Sequence, residues 1–463
     1  MTNWFPDVAG RSGPVYRVIA DALADDIQSG RLLPGARLPT HRDLAFHLKV
    51  TVGTITRAYA EAERRGLVGG EVGRGTFVLA RGGGAPTRPA MWHPPAEPSA
   101  IDMSRCEPHT LGVDQALAET VAEVLADGRL TPLLNYAPHT GYPSHREAGA
   151  EWLTRYRVRT RPESVMVTVG AQNALAISLA AAARPGDVVV AERLSYYGIK
   201  GVTEILGMHL EGLPMDDEGL LPDAFEAACR RLAPKVLYTV PTLQNPTTAI
   251  QPPERRHALA EIALRYGVIV VEDDVFGFLV PDVLPIQTLA PEITLYIASL
   301  SKSVAAGLRV GFLVAPPSLM PRLEAASQAM TFASPALMAE IATRWVADGR
   351  ADAFANAQRA EAQARQALAR SILPRHLLAP ATWGQHLWMT LPEPWRREEF
   401  VSTARRSGVA ITGADTFMIG RTSAPHAIRL GLCMPLYRED VQRGLEILAR
   451  ILQGPAAGGH PIV

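Results

Sequence analysis

The chain has 463 residues, enough for about three domains that each bury a core. Its 46 basic and 46 acidic side chains cancel, which excludes a polycation. Cys106, Cys229 and Cys433, odd in number and far apart, argue against a disulfide framework or metal knuckle and fit a reducing compartment. The opening Met1-Thr2-Asn3-Trp4-Phe5-Pro6-Asp7 lacks the basic start and apolar core of a signal peptide. No apolar run nears the roughly 20 residues that span a bilayer. A cytoplasmic location and no membrane contact are the expectation.

The first 80 residues read as three helices and a hairpin. Val15, Val18, Ile19, Ala22, Leu23 and Ile27 form a helical stripe between Pro14 and Ser29. Thr40 is placed to cap a second helix, with Asp43 in the capping-box position, that runs to about Leu48. Thr51 is a second cap, and the helix it opens turns Ile55, Ala58 and Tyr59 inward and Thr54, Thr56 and Arg57 outward. Two short helices joined by a tight turn make a helix-turn-helix, whose second helix enters a major groove. Leu67-Val68, Gly73-Arg74-Gly75-Thr76 and Phe77-Val78 form a wing with a basic glycine tip. Between Arg31 and Arg74, eight basic residues face four acidic ones, a local excess suited to phosphate contacts.

The run "G-x-L-x-P-G-x-x-L-P-x-x-R-x-L-A", "V-T-x-x-T-x-x-x-A-Y" and "G-x-G-T-F-V" resembles the winged helix of GntR-type bacterial regulators over nearly all of residues 14–78. The resemblance implies binding of double-stranded DNA. That family often carries an arginine and a polar residue just after the turn, where this chain has Val52 and Gly53. Candidate DNA contacts are therefore Arg42, Thr51, Thr54 and Arg57, with Arg74 and Gly75 on the wing. A Gly- and Pro-rich stretch over 81–100 lacks periodicity and reads as a flexible linker. The domains are accordingly expected at 12–80 and 101–455.

From Val165 to Val314, strand-like and helix-like segments alternate, the pattern of a mostly parallel sheet covered by helices. Ligands in such sheets gather at the carboxyl ends of the strands, and chemistry-bearing residues fall there. Gly170-Ala171-Gln172-Asn173 opens a helix whose free N–H groups suit a phosphate. Tyr196 follows a strand and can stack on a heteroaromatic ring or simply fill core. Asn245, held extended by Pro246, can point its amide into a cleft. Val268–Val271 ends in Glu272-Asp273-Asp274, carboxylates whose burial demands partners. Ser299-Leu300-Ser301-Lys302 then places one of only four lysines on a loop between two buried strands, seven residues before Arg309. An amine there can form a Schiff base with an aldehyde, while Ser299, Ser301 and Arg309 could hold a phosphate.

Together, "G-x-Q-x-A", "Y-x-G", "N-P-T", "E-D-D" and "S-x-S-K-x-x-x-x-G-L-R-x-G-F" resemble a fold-type I pyridoxal-phosphate domain of the class I/II aminotransferase kind. Gly384-Gln385-His386-Leu387-Trp388 and Ile428-Arg429-Leu430-Gly431 extend the likeness over about residues 130–450. The resemblance implies an α/β fold with a mostly parallel sheet, helices on both faces and a small C-terminal α+β subdomain. It implies pyridoxal 5'-phosphate as cofactor, bound as an internal aldimine to Lys302. Asp273 would pair with the pyridine nitrogen, Asn245 would reach the phenolic oxygen, and Tyr196 would stack on the ring. Ala171, Gln172, Ser299, Ser301 and Arg309 would hold the phosphate, and Arg429 a substrate carboxylate. Where such enzymes usually place a tyrosine two or three residues past the aspartate, this chain has Val275 and Phe276, so fast transamination is less expected.

A winged helix tethered to such a domain is similar to the MocR/GabR-type transcription regulators. The implied function is a regulator, expected as a homodimer, that senses a small amine or amino acid through external aldimine formation. The alternative is a working aminotransferase with an accessory DNA-binding domain.

Overall fold

The structure, a computed structural model, describes residues 4–6, 14–28, 31–32, 35–64, 67–71, 75–78, 100–110, 112–128, 130–280, 282–420 and 423–454. Arg74 and the linker stretch over 81–99 lie outside the described residues. The chain divides into two units, Met1–Trp92 and His93–Val463.

In the first unit, α1 (Val15–Gln28), α2 (His41–Leu48) and α3 (Val52–Arg64) precede an antiparallel hairpin of β1 (Val68–Glu71) and β2 (Gly75–Val78). The α1 stripe is buried at Val18, Ile19, Ala22, Leu23 and Ile27, while Val15, the first helical residue, stays exposed. Thr40 caps α2, accepting from the Asp43 amide at 3.2 Å and donating its hydroxyl to the Asp43 carboxylate at 2.7 Å. Asp43 therefore answers the cap's side chain, where a capping box would have it reach the cap's backbone. Thr51 caps α3 through the Thr54 amide at 3.2 Å. Leu44, Ile55, Ala58 and Tyr59 pack with Val68 and Val78 of the hairpin into one core. Burial of each large aliphatic side chain there is worth about 1.5–3 kcal/mol.

The second unit is built on a seven-stranded sheet. In chain order run β3 (Val165–Thr168), α4 (Gly170–Ala182), β4 (Val188–Glu192), α5 (Gly198–Ile205), β5 (His209–Leu213), α6 (Pro222–Leu232) and β6 (Val236–Thr239). Then follow α7 (Pro253–Tyr266), β7 (Ile269–Asp273), β8 (Thr294–Ser299), a one-turn helix α8 (Leu300–Ser303) and β9 (Gly311–Val314). The sheet order is β3-β9-β8-β7-β6-β4-β5, and β9 alone runs antiparallel to its neighbours. The other four pairings are parallel. Alternation sends Val165, Val167, Phe312 and Val314 to a core shared with Trp152 and Trp345, and Met166, Leu295, Ile297 and Leu313 to one shared with α4. Both faces are thus covered, as a mainly parallel sheet requires.

The segment after β8, expected as a loop, is instead the helical turn α8. Ser299 makes the difference by capping it, its Oγ accepting from the Ser301 amide at 3.0 Å. A smaller α+β layer follows, with α9 (Arg350–Ile372), β10 (His386–Thr390), α10 (Arg397–Arg406), β11 (Thr412–Gly413), β12 (Ala427–Gly431) and α11 (Arg438–Gln453). Its sheet, ordered β10-β12-β11, is antiparallel and rests on Leu387, Met389, Phe400, Ile428, Leu430 and Leu445.

Candidate functional site

On the first unit, Arg42, Thr51 and Arg57 are exposed on α2 and α3 and their junction. Thr54 is only half-exposed, because its hydroxyl lies 2.9 Å from that of Thr51. Val52, open at the start of α3, adds an apolar side chain to this face, of a kind that can meet a thymine methyl. Gly75 opens β2 with φ near 119°, and a Cβ there would lie 2.9 Å from Arg37 Nε. It contributes backbone alone.

On the second unit, the predicted residues converge at the carboxyl ends of β6, β7 and β8. The Lys302 amine donates to the backbone carbonyl of Cys106, and Gln385 holds the Lys302 carbonyl through Nε2 at 2.8 Å. Burial lowers the Lys302 amine from its ordinary range, which enlarges the neutral, nucleophilic fraction. Three consecutive carboxylates are separated by strand alternation. Glu272 accepts the Ile286 and Gln287 amides at 2.9 and 2.8 Å, and Asp274 accepts the Tyr296 hydroxyl at 2.7 Å. Asp273 accepts the Tyr238 hydroxyl on Oδ2 at 2.8 Å, while its buried Oδ1 has no partner. Burial raises the Asp273 carboxyl to about 6, with the Tyr238 bond and Lys302 pulling the other way.

Beside them, α4 begins at Gly170, whose φ of 73° turns the chain from strand to helix. The Arg309 guanidinium donates to the Val169 carbonyl at 3.1 Å, next to this helix start. Ala171 and Gln172 occupy its first turn. The Gln172 amide reaches the Gly198 carbonyl at 3.3 Å, and a Cβ on Gly198 would collide with both Tyr196 and Gln172. Ser299 and Ser301 share a hydroxyl bond of 2.9 Å. Asn245 and Arg429, expected to face different ligand atoms, contact each other: Arg429 Nη1 donates to Asn245 Oδ1 at 2.9 Å. Arg429 Nη2 also donates to the Ser104 carbonyl at 2.6 Å, and the guanidinium lies 4.7 Å from the Phe417 ring centroid.

The family described as "Aminotransferase class I and II" matches residues 101–446. The chain belongs to the class I and II aminotransferase family. In front of this aminotransferase domain, the family described as "Bacterial regulatory proteins, gntR family" matches residues 15–78. The chain is 28% identical to the uncharacterized HTH-type transcriptional regulator YdeF of Bacillus subtilis strain 168, covering 97% of each chain. It is 26% identical to the HTH-type transcriptional regulator TauR of Rhodobacter capsulatus, covering 88% of this chain and 90% of TauR. Among solved structures it is similar to LysN, the α-aminoadipate aminotransferase of Thermus thermophilus, complexed with N-(5'-phosphopyridoxyl)-L-leucine. That likeness has a TM-score of 0.69 and 27% identity, over 77% of this chain and 93% of LysN.

Pyridoxal 5'-phosphate is the cofactor of this aminotransferase family, and the residues present fit it. The unpartnered Oδ1 of Asp273 is the acceptor a protonated pyridine nitrogen needs. The α4 N-terminus beside Arg309 offers N–H groups and a guanidinium to a phosphate. In the segment after Asp273, Phe276 is buried with its ring 5.2 Å from that of His386, so it brings no hydroxyl to the cavity.

The expectations gave no role to three residues that contact Asp273 or Lys302: Tyr238, Cys106 and Gln385. Tyr238 had a signal, a lone phenol in the otherwise apolar and threonine-ended strand Val236–Thr239. Cys106 had none, since 196 positions separate it from Lys302. A groove of about 1300 Å³ lined by Arg193, Met215, Trp388 and Arg397 lies nearby without including Lys302 or Asp273.

Proposed function

We propose that this regulator answers to a small amine or amino acid captured where pyridoxal phosphate is held at Lys302, and that capture alters its grip on double-stranded DNA. The observation that carries the reading is the placement, side by side, of a part-buried lysine amine and a buried carboxylate whose second oxygen has no hydrogen-bond partner. When bound, the cofactor supplies an aldehyde for the amine and a ring that withdraws electrons. Lys302, its amine lowered from the ordinary range by burial, would hold that aldehyde covalently. Asp273 would hold a proton at the pyridine nitrogen and Tyr238 would keep Asp273 in place. Ser299, Ser301, Arg309 and the first turn of α4 would grip the phosphate. Tyr196 would cover the ring, and Asn245 would bind its phenolic oxygen.

Arg429 would clamp a ligand carboxylate, exchanging its bond to Asn245 for a bidentate one. A ligand of this kind shifts a conformational equilibrium only by its difference in affinity for two states. A homodimer is part of the reading, supported by an exposed apolar patch in which Tyr136 and Phe332 sit with ring centroids 4.7 Å apart, beside Leu134. The reading also places the protein in the cytoplasm, and among the described residues no helix is long and apolar enough to cross a membrane.

The test is borohydride reduction of protein incubated with pyridoxal phosphate, followed by peptide mapping. An adduct at Lys302, lost in Lys302→Ala, is expected; absence of the adduct overturns the proposal. DNA binding measured with and without a panel of amino acids then tests the sensing step. A working aminotransferase is the second reading, favoured by the buried Arg429 with its unpartnered Nε. Sustained turnover of an amino acid with an oxo-acid would establish it.

A further inference from the structure

Arg429 is 2% exposed, and its hydrogen-bond partners among the described residues are two neutral oxygens, Asn245 Oδ1 and the Ser104 carbonyl. A buried guanidinium without an anion is costly. What stands against it is the ring of Phe417, fully buried and centred 4.7 Å from the guanidinium carbon. A cation over an aromatic face gains most where water is excluded. The Tyr197 ring lies 5.9 Å from that of Phe417 and 4.9 Å from that of Tyr196. A row of aromatic contacts therefore joins the guanidinium to the side chain expected over the cofactor. Phe417 itself belongs to the one-turn 3-10 helix Ala414–Phe417 that follows β11. Its backbone, however, is tied to the layer of the seven-stranded sheet. The Ser195 amide donates to the Phe417 carbonyl at 3.0 Å, and the Ile419 amide to the Arg193 carbonyl at 2.8 Å. The Lys200 amine, on α5, donates to the Thr416 carbonyl at 2.6 Å and the Met418 carbonyl at 3.4 Å, one on each side of Phe417.

We propose that Phe417 is a positioning residue for Arg429, and that Lys200, by stapling the turn that presents the ring, helps the site select amines that carry a carboxylate. The proposal rests on the reading of Arg429 as a carboxylate clamp. Asn245 and Ser104 each hold the guanidinium by a single hydrogen bond, about which its plane can swing. The ring defines that plane. A bidentate grip on a carboxylate needs the plane fixed, because the two N–H donors must aim together. When a ligand carboxylate takes Nη1 from Asn245, the Phe417 face and the Ser104 bond are what keep the fork aligned. An amine that lacks a carboxylate gains nothing from this alignment. Selectivity therefore resides in a side chain that touches no ligand and in a lysine further removed still.

The test uses the full chain loaded with pyridoxal phosphate and two probes, aminooxyacetate and methoxyamine. Both condense with the cofactor's aldehyde, and they differ by one carboxylate. Their rates, followed by absorbance on one preparation, give a ratio that reports the carboxylate alone. Phe417→Leu, which keeps an apolar side chain in place, should lower the ratio roughly tenfold. Phe417→Tyr, which keeps the aromatic face, should restore it. Lys200→Met should lower it severalfold while the bound cofactor's absorbance is retained. A ratio unmoved by Phe417→Leu, or equal losses with both probes, overturns the positioning role. A ratio unmoved by Lys200→Met overturns the staple. Absence of any preference for aminooxyacetate in the unmutated protein overturns the reading of Arg429 on which the proposal rests, a result distinct from the other two.

Discussion

Tyr238 donates its hydroxyl to Asp273 Oδ2 across 2.8 Å, inside a core that leaves Asp273 Oδ1 unclaimed. The phenol fixes one edge of the carboxylate and thereby aims the other. A hydrogen bond to a charged acceptor is worth about 1.5–3 kcal/mol. Tyr238→Phe should therefore weaken pyridoxal phosphate binding by roughly tenfold or more, read by absorbance titration. Unchanged affinity would mean that Asp273 needs no such support.

The same carboxyl makes stability depend on pH. Burial raises Asp273 from 3.8 to about 6, so folding favours its protonated form. The stability this contributes is complete below about pH 4 and is lost as pH rises through 6. That rise corresponds to about 3 kcal/mol at pH 8. Asp273→Asn should thus make cofactor-free protein more stable than the wild type at pH 8, by on the order of 2–3 kcal/mol, with little gain at pH 4. Thermal melts across that range check the sign. The same substitution should cost cofactor affinity, since an amide cannot balance a pyridinium.

Gly170 is the point where β3 gives way to α4. A methyl there would stand 2.7 Å from the Arg309 guanidinium, on a backbone whose φ of 73° already disfavours side chains. Gly170→Ala should displace Arg309 and weaken binding of pyridoxal phosphate far more than that of pyridoxal, which lacks the phosphate. Equal losses for the two would exclude a phosphate role for this corner.

Arg57 is exposed on α3 and, as an expected phosphate or base contact, should be dispensable to the second unit. Arg57→Ala should weaken operator binding and reduce the slope of log affinity against log salt by about one if the contact is to phosphate. Cofactor content should stay at the wild-type level. Both are measurable on one preparation, by gel shift and by absorbance.

Much of this molecule was legible from its residues in order. Helix caps at Thr40 and Thr51, the stripe Val18–Ile27, and the strand runs ending at Thr168, Glu192 and Asp273 are local patterns, set by backbone geometry and hydrophobic period. Lys302, Asp273, Asn245 and Arg309 stood out for a related reason, since each lies at or near the end of a strand run. Folding decided what those residues touch. Only the crossing of β6 beside β7 places the Tyr238 phenol on Asp273, and only the packing of 101–106 beside β12 puts Arg429 on the Ser104 carbonyl and Cys106 against Lys302. Period and propensity act over a few residues. Charge, desolvation and hydrogen bonding act through space, and the chain brings those partners together only when its core is closed.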